Sequence, residues 1–399
     1  MSYTQHQKTR SLAFTSLGHF VNDGNFLLIS LLLVYYLAVP QVNLAFVALM
    51  AAGYNLISGL SSLAVGYVAD VTGKDGHLIS LGIFLQAVAI FLFAMPFRYP
   101  DYWFQSVLTG SILLGFGQAF YHPLGASILR STYGAAKAPL VMGINGSMGS
   151  IGRAMIPFVL AVMILSFGKF YGFVFLSVYT VIGAILILLG LFDFRKEGVL
   201  PKQKHTKEKT PAGREYWIFM SFLSTVIFLR SVFMGGSVLY IGRYLFDIFG
   251  SEFLLALFLA LTLIPPIIGQ PLLGAITTLK GGRFATNLTG ITSTIFFMLF
   301  LLTTNPIAMG LFFMVFSFMG FSLFPVMLGY IGQQVREGQG SVSNSIAWGL
   351  GNSLGFAVGA LVMTFWTGMY GIPSGMWLML AFGAVSTIIF ISFRPDLNK

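Results

Sequence analysis

The residues able to do chemistry are few, and they sit inside long apolar runs. His19, Asn22 and Asp23 fall at i, i+3 and i+4, so a helix puts them on one face. A histidine beside a carboxylate can load and release a proton near neutral pH. Two roles stay open for Asp23: proton carrier, or permanent counter-ion of an intramembrane arginine. The run Gly115-Phe-Gly-Gln-Ala-Phe-Tyr-His122-Pro123 supplies a second histidine. Pro123 cannot donate to the Ala119 carbonyl, which predicts a broken helix with His122 at the break, in contact with substrate or proton. Gly149-Ser-Ile-Gly-Arg153 carries small residues that permit close helix packing, and Pro157 frees the Arg153 carbonyl. Arg153 is a candidate to bind an anion or to pair with Asp23. Arg230 has no acidic neighbour in sequence and is a candidate substrate contact, since guanidinium matches carboxylate and phosphate. Arg243 and Asp247, at i and i+4, read as an interfacial ion pair, and Gln270, Asn344 and Asn352 as interhelical hydrogen-bonding groups. Each ionisable group at a bilayer centre costs at least ~2.5–3.5 kcal/mol, so each is a functional candidate. Three arginines against one aspartate favour anionic or zwitterionic solutes.

The elements that must position these residues are membrane spans. Charged residues make up 9% of the 399, where a soluble chain has about 25%. A span needs ~20 mostly apolar residues. Twelve such runs occur, over 11–38, 44–70, 78–95, 103–130, 138–166, 170–192, 216–246, 252–278, 285–303, 306–334, 341–366 and 370–393. They show no period of two, which excludes a barrel. Threaded through this map, 17 of the 22 basic residues fall on one side. Arg98 and Lys169 fall on the other, and Arg153, Arg230 and Arg243 inside spans. The positive-inside rule makes the basic side, with both termini, cytoplasmic. The basic stretch 193–215 reads as a cytoplasmic linker near anionic lipid, between bundles at 1–192 and 216–399. No aromatic residue interleaves its lysines, which argues against a nucleic-acid partner. With no cysteine, no H-E-x-x-H and no paired intramembrane aspartates, the chain does not read as an enzyme.

The halves echo each other. Gly66-Tyr-Val-Ala-Asp70-Val-Thr-Gly73-Lys74 has the spacing of Gly274-Ala-Ile-Thr-Thr278-Leu-Lys-Gly281-Gly-Arg283, and Gly146, Ser150 and Gly152 match Gly349, Ser353 and Gly355. Parallel six-helix repeats are a transporter architecture. The first motif resembles the G-x-L-A-D-R-x-G-R-K signature of the major facilitator superfamily, with Val71 and Asp75 departing from it. The resemblance implies an all-α membrane protein of twelve helices in two pseudo-symmetric bundles. It also makes Gly66, Asp70, Gly73 and Lys74 a conformational latch, weaker in the second copy because Thr278 replaces Asp.

Ser16-Leu-Gly-His19-Phe-Val-Asn22-Asp23 together with Phe120-Tyr-His122-Pro123 resembles one branch, the fosmidomycin-resistance efflux proteins. That resemblance implies a proton-driven exporter in which His19, Asn22, Asp23, His122 and Arg230 line the central path. Leu124 stands where the branch has Glu, and Arg153 where a neutral residue is expected, so the substrate is open. The expectation is a proton-coupled exporter of small anionic or amphiphilic compounds, a drug/proton antiporter. The alternative is a proton-linked importer or facilitator of an organic anion on the same fold. Asp23 and His19 are expected to couple protons; Asn22, His122, Arg153 and Arg230 are expected to bind substrate. Partners would be a small-molecule substrate, protons and lipids. No cofactor or metal is expected, and the chain is expected to be a monomeric, multi-pass protein of the cell membrane.

Overall fold

The computed structural model describes residues 3–134, 138–194, 213–335, 343 and 346–393, and every regular element among them is helical. In chain order these are α1 (Gln5–Gly24), α2 (Leu28–Tyr35), α3 (Leu44–Thr72), α4 (Asp75–Ala94), α5 (Trp103–Tyr133) and α6 (Ala138–Leu191). The second half has α7 (Arg214–Phe249), α8 (Glu252–Thr262), α9 (Pro266–Lys280), α10 (Gly282–Leu302), α11 (Pro306–Gln334), a π-helical turn (Ala347–Ser353), α12 (Leu354–Tyr370) and α13 (Ile372–Ser392). Most of the linker, Lys137, Arg336, Asn344, Arg394 and Lys399, and the side chain of Asp70, lie outside the described residues.

Among the described residues, eleven stretches are long and apolar enough to cross a membrane. One runs from Leu140 to Leu191, 52 residues. A straight helix of that length would span about 80 Å, against a hydrocarbon core of about 30 Å. It is not straight. Gly168 has φ 83 and ψ 164, and a Cβ on Gly172 would stand 3.1 Å from the Ile164 nitrogen. Residues four before and four after Gly168 therefore touch, and the chain doubles back there. Large apolar side chains such as Ile182, Ile185 and Leu189 point outward, as expected where lipid is the solvent.

Three local expectations are corrected. The run 11–38 is two helices: α1 ends at Gly24, with Asn25 N–H on the Asn22 carbonyl (3.3 Å) and Phe26 N–H on that of Asp23 (3.1 Å). Asn22-Asp-Gly-Asn25 is turn chemistry, and it prevails over the apolar flanks. The run 252–278 is likewise divided, at Leu263–Pro265, ahead of the Pro at the start of α9. Pro123, by contrast, breaks nothing: α5 is helical from Trp103 to Tyr133 and carries the proline within it. Neighbouring helices hold such a residue in line.

The internal repeat is visible in packing, in a different register from that of the second sequence echo. A Cβ on Gly152 would collide with the Phe20 carbonyl and stand 3.0 Å from Gly24 N; one on Gly359 would collide with the Val232 carbonyl and stand 2.9 Å from Gly236 N. Gly359, not Gly355, is thus the packing counterpart of Gly152. Gly355 and Gly359 are four residues apart, close to one helical turn, so the echo keeps the helix face and misses the level of the crossing. Gly73 and Gly281, matched in the first echo, both end a helix at positive φ, 65° and 86°.

Polar pairs fasten the elements. Arg10 donates to both Asp193 carboxylate oxygens (3.1 and 2.6 Å) and to the Gly190 carbonyl (2.7 Å), closing the end of α6. This hydrogen bonding holds the Asp193 carboxyl below its usual range. At the opposite end Lys169 meets Glu252 at 2.8 Å, and Gly242 N–H donates to Ser30 Oγ at 3.3 Å.

Substituting Gly152 by Leu forces α1 and α6 apart and is expected to cost about 1–3 kcal/mol. Gly53→Ala, where no heavy atom lies within 4 Å, is expected to be neutral or stabilising by about 0.5–1 kcal/mol. Melting temperatures in detergent check the pair, and equal melting of both variants would contradict the close approach.

Candidate functional site

The end of α1 places Asp23 at a helix C-terminus, where the macrodipole disfavours a carboxylate by about 0.3–1 kcal/mol. The surroundings reverse that. The Arg153 guanidinium on α6 pairs with Asp23 Oδ2 through Nη1. His19 Nε2, one turn back on α1, is 3.2 Å from the same oxygen. His122 Nε2 on α5 is 3.5 Å from Oδ1. Asn22 Nδ2 donates to Oδ1 at 3.0 Å. One carboxylate thus serves three basic groups, with its side chain 6% exposed while that of His122 is 35% exposed. His122 is the open edge of the cluster.

Each member is held from behind. His19 Nδ1 sits 2.8 Å from Asn145 Oδ1, and Tyr121 OH lies 2.9 Å from that oxygen and donates to the Thr15 carbonyl at 2.8 Å. Arg153 Nη2 donates to Ser150 Oγ at 2.9 Å. Asn22 accepts from Gln86 Nε2 at 2.8 Å, and Gln86 accepts from Asn25 Nδ2 at 3.0 Å. Asn22 and Gln86 are fully buried. Asn22 is therefore a support for Asp23 and faces no open space. Gly149 leaves room for the cluster, since a Cβ there would stand 2.8 Å from Asp23 Oδ2.

The second half of the chain closes over this site. The Arg153 guanidinium lies 5.7 Å from the Phe321 ring of α11, and His122 lies 5.4 Å from Trp348 of the π-helical turn. Gln270 of α9 donates to Ser150 Oγ at 3.3 Å, and Ser147 Oγ donates to the Ile267 carbonyl at 2.8 Å. The cluster so stands where helices from both halves meet.

Of the residues proposed from sequence, His19, Asn22, Asp23, His122 and Arg153 come together. Arg230 does not join them; it is buried against Ser293 and Thr294 of α10. Arg243 pairs with Asp247 at 2.7 Å. Gly66 and Gly73 lie on and just after α3, and Lys74 is exposed. Sequence reading misses Tyr121, Asn145, Gln86 and Trp348. Asn145, Gly149 and Arg153 recur every four residues, and Gln86 is the one amide side chain in the run 78–95, so both signals are present. Gly351-Asn-Ser353-Leu-Gly355 has the spacing of a hydrolase nucleophile elbow, but it lies on helix and Ser353 packs against Gly59. His19, Asp23 and His122 each bring a ligand atom within 4.8 Å of the others, as a metal site would. The Arg153 guanidinium already on the carboxylate would repel a divalent cation there.

Removing one partner of a buried pair costs about 3–5 kcal/mol, because the other charge is left behind. Asp23→Asn and Arg153→Gln are each expected to destabilise by that order, and the double variant to recover most of it. Additive losses in a double-mutant cycle would mean that the two side chains do not act as a pair.

A family model described as Major Facilitator Superfamily matches residues 15–347. Solved structures share the fold. A D-xylose-proton symporter is 15% identical, with a TM-score of 0.76 over 98% of each chain. A peptide transporter crystallised with sulfate is 17% identical, with a TM-score of 0.72 over 96% of this chain and 93% of its own. A point mutant of the peptide transporter, in complex with alafosfalin, is 14% identical, with a TM-score of 0.71 over 95% of this chain and 93% of its own. No curated protein sequence matches. The chain belongs to the major facilitator superfamily and is a multi-pass membrane transporter, not an enzyme.

Proposed function

We propose that this member of the major facilitator superfamily carries a small organic anion together with protons, using Arg153 as the anion contact and Asp23 as the switch. The observation that carries the reading is the shared use of one carboxylate: Asp23 is at once the counter-ion of Arg153 and the neighbour of His19 and His122. A substrate anion can take the guanidinium only if Asp23 lets go. A proton delivered through His122 or His19 to Asp23 neutralises the carboxylate and frees Arg153. Proton and anion then bind with positive cooperativity, and linkage makes the effect reciprocal. Two ligands that favour each other load and leave together, which is symport.

This favours the second of the two readings drawn from sequence, proton-linked uptake of an organic anion. Drug/proton antiport requires the opposite sign: the proton must expel the substrate. A cationic amphiphile competing for Asp23 would meet that requirement, but it would also have to displace Arg153. One structural neighbour is a proton symporter, which accords with the choice. The machinery we propose is twelve crossings, counting the chain on both sides of Gly168 separately, in bundles at 1–192 and 216–399. They rock about the central site, with both termini and the 193–215 linker in the cytoplasm of a cell-membrane protein that works as a monomer. Gly66, Asp70, Gly73 and Lys74 form the latch at the cytoplasmic end of α3. Lipids are the surrounding solvent, and no cofactor takes part.

Proteoliposomes loaded with a pH dye test the reading, challenged with carboxylates, phosphonates and lipophilic cations. An anion is expected to acidify the lumen as it enters through the wild type. Asp23→Asn should uncouple protons from solute, and Arg153→Gln should lose anion uptake by about 10-fold or more. Alkalinisation of the lumen during solute entry would instead mean antiport, and proton flux unchanged in Asp23→Asn would remove Asp23 from coupling.

A further inference from the structure

The charges of the central site come from the first half of the chain, and what faces them from the second half is aromatic. The Arg153 guanidinium carbon lies 5.9 Å from the Phe26 ring and 5.7 Å from that of Phe321. Phe26 in turn meets Phe321 and Phe356 edge to face, each at 6.3 Å. At the open edge of the cluster the His122 ring lies 5.4 Å from Trp348, and Trp348 lies 5.3 Å from Phe324. Both groups of rings border the same carboxylate, one through Arg153 and the other through His122. Phe26, Phe321, Phe324, Trp348 and Phe356 are all half-buried, whereas Phe233, Phe297 and Phe316, which pack the interior of the second half, are fully buried. Rings left partly uncovered beside a few convergent polar groups are what a site for an organic ligand presents.

The polar groups that the second half brings near the site are already committed. Gln270 donates to Ser150, and Asn352 accepts from Ser231 Oγ at 3.1 Å. Among the described residues, its carboxylates are Glu215, which opens α7, Asp247, which pairs with Arg243, and Glu252, which pairs with Lys169. All three stand at helix ends. The Lys169–Glu252 pair, beside the corner at Gly168, is about 22 Å along α6 from Arg153 at 1.5 Å per residue. With Asp23 protonated in the loaded state, a substrate ammonium would face Arg153, His19 and His122 and no anion. A second anionic group would need a second fixed cation, and Arg230 is turned to α10.

We infer that the substrate is an aromatic monoanion, with its one carboxylate or sulfonate group on Arg153 and its ring against Phe26, Phe321 and Trp348. The inference rests on the reading of Arg153 as the anion contact and narrows it to a chemical class. One guanidinium matches one planar or trigonal anionic group. Aromatic side chains take a further ring edge to face or offset, and they bury more area than an alkyl group of the same length. Amino acids and peptides are excluded by the missing carboxylate. Sugars are disfavoured because each hydroxyl taken out of water needs a partner, and the amides here are in use. Phe321 and Trp348 are then the residues that set specificity, while Arg153 sets charge.

The probes are 4-toluenesulfonate and methanesulfonate, which stay ionised and cross lipid poorly unaided, and free phenylalanine, which has the ring and an ammonium. Full-length protein in proteoliposomes is given radiolabelled sulfonate under an inward proton gradient, with each probe as competitor. Wild type should prefer 4-toluenesulfonate to methanesulfonate and to phenylalanine by about 10-fold or more. Trp348→Leu and Phe321→Leu keep apolar bulk and remove a ring. Each should raise KM for 4-toluenesulfonate about 3–10-fold and leave methanesulfonate unchanged, whereas a folding defect would lower both uptakes together. Equal uptake of the two sulfonates by wild type, with both lost in Arg153→Gln, would overturn the inference and leave the anion reading standing. Uptake of 4-toluenesulfonate undiminished in Arg153→Gln would remove that reading and the inference with it. The inference also fails if wild type takes up neither sulfonate, if phenylalanine competes as well as 4-toluenesulfonate, or if both leucine variants keep the wild-type preference.

Discussion

A carboxylate buried inside a membrane protein must be matched by positive charge or by a proton, and Asp23 is matched by three basic side chains. Much of the first half of the chain follows from that constraint. α1 must end just after Asp23, so that the side chain reaches α6 and α5 together. Gly149 and Gly152 must lack side chains, so that α6 can approach closely enough for Arg153 to meet the carboxylate. Asn22, Gln86 and Asn25 form a chain of amides that leaves the second carboxylate oxygen hydrogen-bonded. Breaking any of these leaves a desolvated charge, and in hydrocarbon that penalty is far larger than the energy of one packing contact.

On the mechanism we propose, the same constraint gives the cluster two arrangements. With Asp23 ionised, Arg153 is occupied and the helices around it are drawn together. With Asp23 protonated, Arg153 needs another anion, and the cost of leaving it bare is what would drive substrate binding. Phe321 and Trp348, from the second half, stand against Arg153 and His122, so a change of partner at the cluster is felt directly by elements of α11 and the π-helical turn. A π-turn carries an extra residue in the helix and adjusts at low cost, which suits a segment that must follow such a change.

Sequence alone reveals the composition of the cluster better than its geometry. His19 and Asp23 are legible as a pair because a four-residue spacing fixes a helical face whatever surrounds it. That Arg153 meets them is only one of two options in sequence, because no local rule sets the rotation of α6 against α1. Glycine spacing sets it, and the sequence echo puts the glycines about one helical turn out of register, since Gly152 corresponds in packing to Gly359. The breaks at Asn22–Asn25 and Leu263–Pro265 escape for the opposite reason. There, local turn chemistry is strong, but long apolar flanks dominate the search for spans. Pro123 shows the converse, a strong local breaker that tertiary packing holds in line.

The two halves solve one packing problem with different charges. In the first, α6 crosses α1 at Gly152, and the polar groups beside the crossing include a carboxylate. In the second, α12 crosses α7 at Gly359 in the same manner, and the charge on α7 is Arg230 with hydroxyls for company. Duplication of a helix pair preserves the backbone contacts, because any Cβ at the crossing would collide. It places no such demand on side chains one turn away. Charge is therefore free to diverge where shape is not.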